Sequence, residues 1–118
     1  MTLVGRLDRA ELPNYYAAAD VFISGSHYEG SGYALIEAMS AGVVPVVTDI
    51  PSFRAIAGDT GARWTPGDAD DFARVLVDVC STDLNSRKEA AKARFDRVLS
   101  WDAIGQRTVA EYRKLART

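Results

Sequence analysis

Side chains that bind metals or carry redox chemistry are scarce in this chain. Its 118 residues hold one cysteine, Cys80, and one histidine, His27. A single cysteine excludes an internal disulfide and removes support for a small secreted scaffold. One imidazole without a Cys or His cluster cannot make a zinc site, so no metal is expected. No apolar run approaches the roughly 20 residues of a membrane-spanning helix. Arg6, Asp8 and Arg9 interrupt the N-terminus before the apolar stretch of a signal peptide can form, and the expected location is cytoplasmic. Basic residues interleaved with aromatics are lacking, which argues against nucleic-acid binding. No Walker lysine follows Gly30-Ser31-Gly32, and Leu35 stands where a dinucleotide fingerprint needs its third glycine. Nicotinamide and ATP readings are therefore weak.

The remainder is the composition of a folded domain. Apolar residues make up 47% and charged residues 25%, which suits one globular unit over residues 1–118 with a core of its own. Charge is unevenly spread. Residues 1–86 carry 5 Lys/Arg against 12 Asp/Glu, and residues 87–118 carry 9 against 4. The basic end reads first as a solvated helix face. The competing reading is peripheral contact with the anionic inner face of a membrane.

Strand and helix patterns alternate through the first part, and helices follow alone. Leu3–Gly5 reads as a short strand. Asp8 and Glu11 have capping-box spacing before a helix over 12–19, with Pro13 in its first turn. Val21–Gly25 is a second strand and Tyr33–Ala41 a helix that stops at Gly42. Val43 to Thr48 is a strand whose apolar residues do not alternate, so both of its faces are expected to be covered. A helical turn from Pro51 to Gly58 and a fourth strand at 61–65 come next. Phe72, Val75, Leu76 and Val79 mark one helix stripe. Leu84, Lys88, Ala91, Phe95 and Val98 mark a second. A third helix starts at Ser100 and carries Ile104, Thr108, Tyr112 and Leu115. The expected class is α/β: a partial Rossmann-like domain with about four parallel strands between helices.

Glu29 and Glu37 frame the most informative stretch, EGSGYALIE. A strand that passes through a glycine turn into a helix start leaves free backbone N–H groups at the positive end of the helix dipole, which suits an anion. Two carboxylates beside that anion site suit a ligand that also carries hydroxyls, as a nucleotide sugar does. On the helix, Glu37 shares a stripe with Tyr33 and Ala41, opposite Leu35, Ala38, Met39 and Gly42, so it can face a cleft.

The ordered series ELPNYYAAADVFISGSHYEG, EGSGYALIEAMSAGVVPVV, GDTGARWTPGDADDFARVL and Ser100-Trp101-Asp102 resembles the C-terminal, donor-binding domain of retaining GT-B glycosyltransferases of the family 4, or group 1, type. The resemblance covers nearly the whole chain. It implies that Glu29, the candidate catalytic residue, holds hydroxyls of the donor hexose. It implies that Gly30, Ser31, Gly32, Tyr33, Ala34 and Leu35 line the sugar and diphosphate, and that Glu37 accepts from the ribose hydroxyls. Ser31 stands where the family commonly has Phe, and Ala55 where many members have Glu. The arginine and lysine that the family places on the donor phosphates have no counterpart here, and neither does the N-terminal acceptor domain.

The implied activity is hexosyl transfer from a nucleoside-diphosphate sugar with retention and without an essential metal. The alternative is a non-catalytic fragment or binding module that needs the missing N-terminal domain or associates with itself through an uncovered apolar face. Other motifs have plainer readings. Asp68-Ala69-Asp70-Asp71 caps a helix rather than binding a cation. His27 belongs to the cleft wall or the surface, Cys80 to the core, and Tyr15, Tyr16, Trp64 and Trp101 to packing.

Overall fold

The computed structural model describes residues 1–117. Six α-helices and three strands follow in the order α1 (Leu12–Ala18), β1 (Val21–Ser24), α2 (Tyr33–Ser40), β2 (Val44–Thr48), α3 (Pro51–Ala57), β3 (Ala62–Trp64), α4 (Ala69–Cys80), α5 (Leu84–Arg94) and α6 (Trp101–Ala116), with a π-helical turn at Phe95–Leu99 joining the last two.

The strands form one parallel sheet in the order β1-β2-β3, with Val21 opposite Val44 and Val46 opposite Ala62. Every residue of the central strand β2 is buried, as its unbroken apolar run requires. Pro45 has no N–H to give, and it sits one position before the first β2–β3 pair, where the ladder loses least. On one face of the sheet Leu35, Met39, Val47, Ile50, Phe53 and Ile56 form a cluster, joined by Phe95 and Leu99 of the π-helical turn. On the other, Val44, Val46, Trp64, Val75 and Val79 do the same, with Trp64 and Phe72 rings 4.7 Å apart. Helix α5 passes beneath the amino edge of the sheet between these two layers. Its Lys88 pairs with Asp20 ahead of β1, and Arg87 donates to the Gly61 carbonyl ahead of β3.

Several expectations change. The sheet has three strands rather than four, because Leu3–Gly5 adopts no regular structure; Leu3 is 86% exposed. An apolar triplet becomes a strand only where a neighbour takes up its backbone hydrogen bonds, and β1 offers no such pairing to it. Asp8 does not cap α1: its backbone N–H donates to the Glu11 carboxylate at 3.4 Å, half of a capping box, and Glu11 occupies the cap position. Cys80 is exposed, since Val79 takes the last core position of the α4 stripe and the next residue turns outward. Trp101 is exposed as well, because α6 leaves the body of the molecule with Ala103 as its one buried residue. Tyr15 is 47% exposed and does not pack as expected, whereas Trp64 does. Ser100 caps α6 as its sequence suggests, its hydroxyl accepting from Ala103 N–H at 3.1 Å.

Candidate functional site

The glutamate-bearing segment lies at the carboxyl edge of the sheet, between the end of β1 and the start of α2. Its position is set by hydroxyl side chains. Thr48, fully buried at the end of β2, donates to the Ser26 carbonyl. The Ser26 hydroxyl in turn donates to Glu29 Oε1 at 2.8 Å and lies 3.2 Å from the Ser24 hydroxyl. Glu29, half-buried, is thereby held against the end of the sheet by a chain that starts in the core.

Gly32 is the residue on which the turn into α2 depends. It occupies the N-cap position with φ 64° and ψ 31°, a left-handed conformation that glycine adopts without penalty. It is also crowded, because a β-carbon there would meet Ile56 Cδ1 at 2.4 Å. A glycine cap has no side chain to satisfy the first N–H groups of the helix. Those of Tyr33, Ala34 and Leu35 precede the first intrahelical bond, Ile36 N–H to Gly32 carbonyl. Leu35 puts its side chain in the core at 1% exposure and offers the site only its backbone. Gly30, Ser31, Tyr33 and Ala34 are exposed.

Glu37 comes one turn further along α2 and faces away from Leu35, Ala38 and Met39, all fully buried. It lines a hollow of about 240 Å³ between α1 and α2, together with Arg9, Leu12, Pro13, Tyr16, Ser40 and Ala41. The Tyr16 hydroxyl sits 3.4 Å from both Glu37 Oε2 and the Ala34 carbonyl oxygen. Burial, and then the negative charge of Glu37 and its hydrogen bond, push the Tyr16 phenol above its ordinary pKa. The two glutamates thus have separate supports, Ser26 for Glu29 and Tyr16 for Glu37, and Glu29 is not among the residues that line the hollow beside Glu37.

The aspartates at 68–71 serve α4. Asp68 accepts from Asp71 N–H at 2.9 Å, and the Asp71 carboxylate takes the Thr65 N–H and pairs with Arg74. Among the described residues no group of three or more His, Cys, Asp or Glu side chains is placed to hold a metal. His27 is exposed, 3.6 Å from where a β-carbon on Gly67 would lie. Among the described residues no helix is long and apolar enough to cross a membrane.

The roles of Tyr16, Ser26 and Thr48 are not apparent from spacing. Ser24 and Ser26 belong to no catalytic motif, and the Tyr16 ring reads as packing until its hydroxyl is located. One signal was available: Thr48 ends a wholly apolar strand, and a buried hydroxyl must find an acceptor.

The profile of the family described as glycosyl transferases group 1 matches residues 1–96. The chain belongs to this family. A group 1 relative, the O-antigen chain mannosyltransferase B of Escherichia coli, is 33% identical over 115 residues, which cover 95% of this chain and 30% of the relative. The GDP-mannose:cellobiosyl-diphosphopolyprenol alpha-mannosyltransferase of Xanthomonas oryzae pv. oryzae is 33% identical over 99 residues, 80% of this chain and 26% of that protein. Among solved structures, the sucrose-phosphate synthase from Thermosynechococcus elongatus superposes with a TM-score of 0.80 at 27% identity, covering 98% of this chain and 30% of the other. The group 1 chain described here therefore matches a Rossmann-like half of the GT-B architecture and spans about 30% of the length of such relatives.

Proposed function

We propose that this chain is the donor-binding portion of a glycosyltransferase that moves a hexosyl group from a nucleoside-diphosphate sugar to an acceptor, with retention of configuration. The reading is supported by the glycine-capped start of α2, which has no side-chain cap, with Glu29 held by Ser26 ahead of it and Glu37 beside Tyr16 further along it. The diphosphate lies on the N–H groups of residues 33–35. When the bond between the sugar's anomeric carbon and the phosphate oxygen breaks, the electron pair stays on that oxygen, and the partial positive charge of these N–H groups stabilises the departing diphosphate. Glu37 accepts from the ribose hydroxyls beside the α1–α2 hollow, and Glu29 accepts from hydroxyls of the hexose. Each charge-assisted bond contributes about 1.5–3 kcal/mol when shielded from water. Asp68 caps α4 and Asp71 pairs with Arg74, so the reading assigns them no cation.

The Xanthomonas oryzae relative is named for GDP-mannose, which makes GDP-mannose the first donor to test. The chain spans about 30% of such relatives, and its own residues are assigned no acceptor site. Acting alone, without the arginine and lysine the family sets on the phosphates, the chain is expected to hold donor no tighter than about 1 mM. In that state it is a binding module rather than a catalyst. The test is an amide NMR titration with GDP-mannose and UDP-glucose. Shifts centred on residues 29–37 that disappear in Glu37→Ala are expected. An unchanged nucleotide response in that variant refutes the ribose assignment, and micromolar affinity refutes the weak-module reading.

A further inference from the structure

We propose that Tyr16 is a positioning residue for the nucleotide: its hydroxyl fixes the Glu37 carboxylate in the orientation that separates a ribonucleotide from a 2′-deoxyribonucleotide. The inference rests on the ribose assignment of Glu37 made above and adds what sets that carboxylate.

Helix α1 buries none of its residues. Among the described residues, its side chains give hydrogen bonds to the rest of the chain only through the Tyr16 hydroxyl. That hydroxyl has one proton and two acceptors at 3.4 Å, the Ala34 carbonyl oxygen and Glu37 Oε2. The Ala34 carbonyl lies within α2, where the N–H one turn further on serves it. The Glu37 carboxylate is the stronger acceptor and has no other donor among the described residues, so the phenol proton goes to it. The contact is longer than the usual hydroxyl bond of about 2.7–2.8 Å. Binding-site hydrogen bonds commonly lie long in the free protein and tighten around the ligand.

The arrangement leaves acceptor capacity where a ribose needs it. An ionised carboxylate offers two oxygens, each with more than one lone pair. A phenol on Oε2 leaves Oε1 and the remainder of Oε2 to the hollow that Glu37 lines. A carboxylate fixed in this way accepts from both vicinal hydroxyls at once, so deleting the 2′-hydroxyl deletes a bond. Without the phenol, the exposed Glu37 side chain turns among rotamers. Holding it for two hydroxyls then costs entropy, and the 3′-hydroxyl alone serves nearly as well.

Amide NMR titrations of the 118-residue chain with GDP and with 2′-deoxy-GDP test the proposal. The unaltered chain is expected to favour GDP about fivefold or more. Tyr16→Phe keeps the ring and removes the hydroxyl, and the preference is expected to fall below about twofold. In Glu37→Ala the preference is expected to vanish. Adding Tyr16→Phe to that variant should change GDP affinity by less than about 1.5-fold, because Tyr16 acts through Glu37. Tyr16 sits on a helix with no buried residue, so Phe leaves the core intact, and thermal melts check each variant. A Tyr16→Phe chain that binds both nucleotides more weakly but keeps the preference overturns the proposal and leaves the ribose assignment standing. So does an equal loss from Tyr16→Phe with and without Glu37. An unaltered chain without the preference overturns the ribose assignment, and this proposal with it.

Discussion

The Thr48 hydroxyl donates to the Ser26 carbonyl, tying the end of the central strand to the loop that carries Glu29. Thr48 has no exposed surface. The bond spans 22 residues of sequence and converts the rigidity of β2 into a fixed position for the loop that leads to the Glu29 carboxylate. Thr48→Val keeps the shape and deletes the donor, leaving a carbonyl without its partner. A loss of about 1–3 kcal/mol is expected in urea denaturation. Donor-induced NMR shifts at Glu29 should weaken with it. Thr48→Ser retains the hydroxyl and should preserve those shifts, so equal behaviour of the two variants would show that shape rather than the bond matters.

Two glycines with nearly the same φ should respond differently to alanine. At Gly61 a β-carbon would lie 2.0 Å from the Pro45 carbonyl oxygen, an atom fixed in the central strand. At Gly32 the obstacle is the tip of the Ile56 side chain, which can swing aside. Gly61→Ala is expected to cost about 2–4 kcal/mol and Gly32→Ala about 1–2 kcal/mol. Thermal denaturation ranks the two, and the reverse order would contradict the structure. Gly32→Ala should nevertheless be the more damaging to donor binding, since it reshapes the turn proposed to carry the diphosphate.

Acid should weaken the fold through its helix caps. The Asp71 carboxyl lies below its ordinary pKa because it accepts the Thr65 backbone N–H and, next, pairs with Arg74. Asp83 is lowered by the Ser86 hydroxyl first, then by the backbone N–H groups of Ser86 and Asn85. Depressed folded-state values mean that the unfolded chain takes up protons first as pH falls. The stabilisation is therefore complete above about pH 4 and is lost as pH drops through the folded values. Asp83→Asn keeps a competent N-cap but does not titrate. Its urea midpoint should fall less between pH 7 and pH 3 than that of the unaltered chain; an equal fall would remove Asp83 from the account.

Tyr16 reports on Glu37. Its phenol is raised by burial first and by the neighbouring carboxylate second, so its neutral form is favoured beyond the usual value near pH 10. Glu37→Gln removes the charge and leaves the burial. The Tyr16 titration, followed by NMR with ring-labelled tyrosine, should therefore move down part of the way. No movement would mean that the 3.4 Å contact in the α1–α2 hollow is not made in solution.

Periodicity carried the helices well. The apolar spacing of Phe72, Val75, Leu76 and Val79 gives α4 its buried side, and Asp68, Asp83 and Ser100 stand at their caps. The unbroken run Val43 to Thr48 announced a strand covered on both faces, because no polar residue interrupts it. Periodicity failed at Leu3–Gly5 and at Phe95. Whether a short apolar segment becomes a strand depends on a neighbour that local sequence does not specify. The stripe from Leu84 to Val98 reads as one helix, yet the chain turns π-helical at Phe95, where Phe95 and Leu99 both enter the α2–α3 layer.

The sequence by itself determined the alternation of strand and helix, the family, and the glycine turn between Glu29 and Glu37, because these rest on neighbouring residues and their spacing. Tertiary structure decided what supports each carboxylate and which helix face is left to water. Thr48 meets Ser26, and Tyr16 meets Glu37, across 22 and 21 residues of chain. Such pairings exist only once the sheet has closed and its helices have docked, since a hydrogen bond between distant residues is specified by the packing that brings them together.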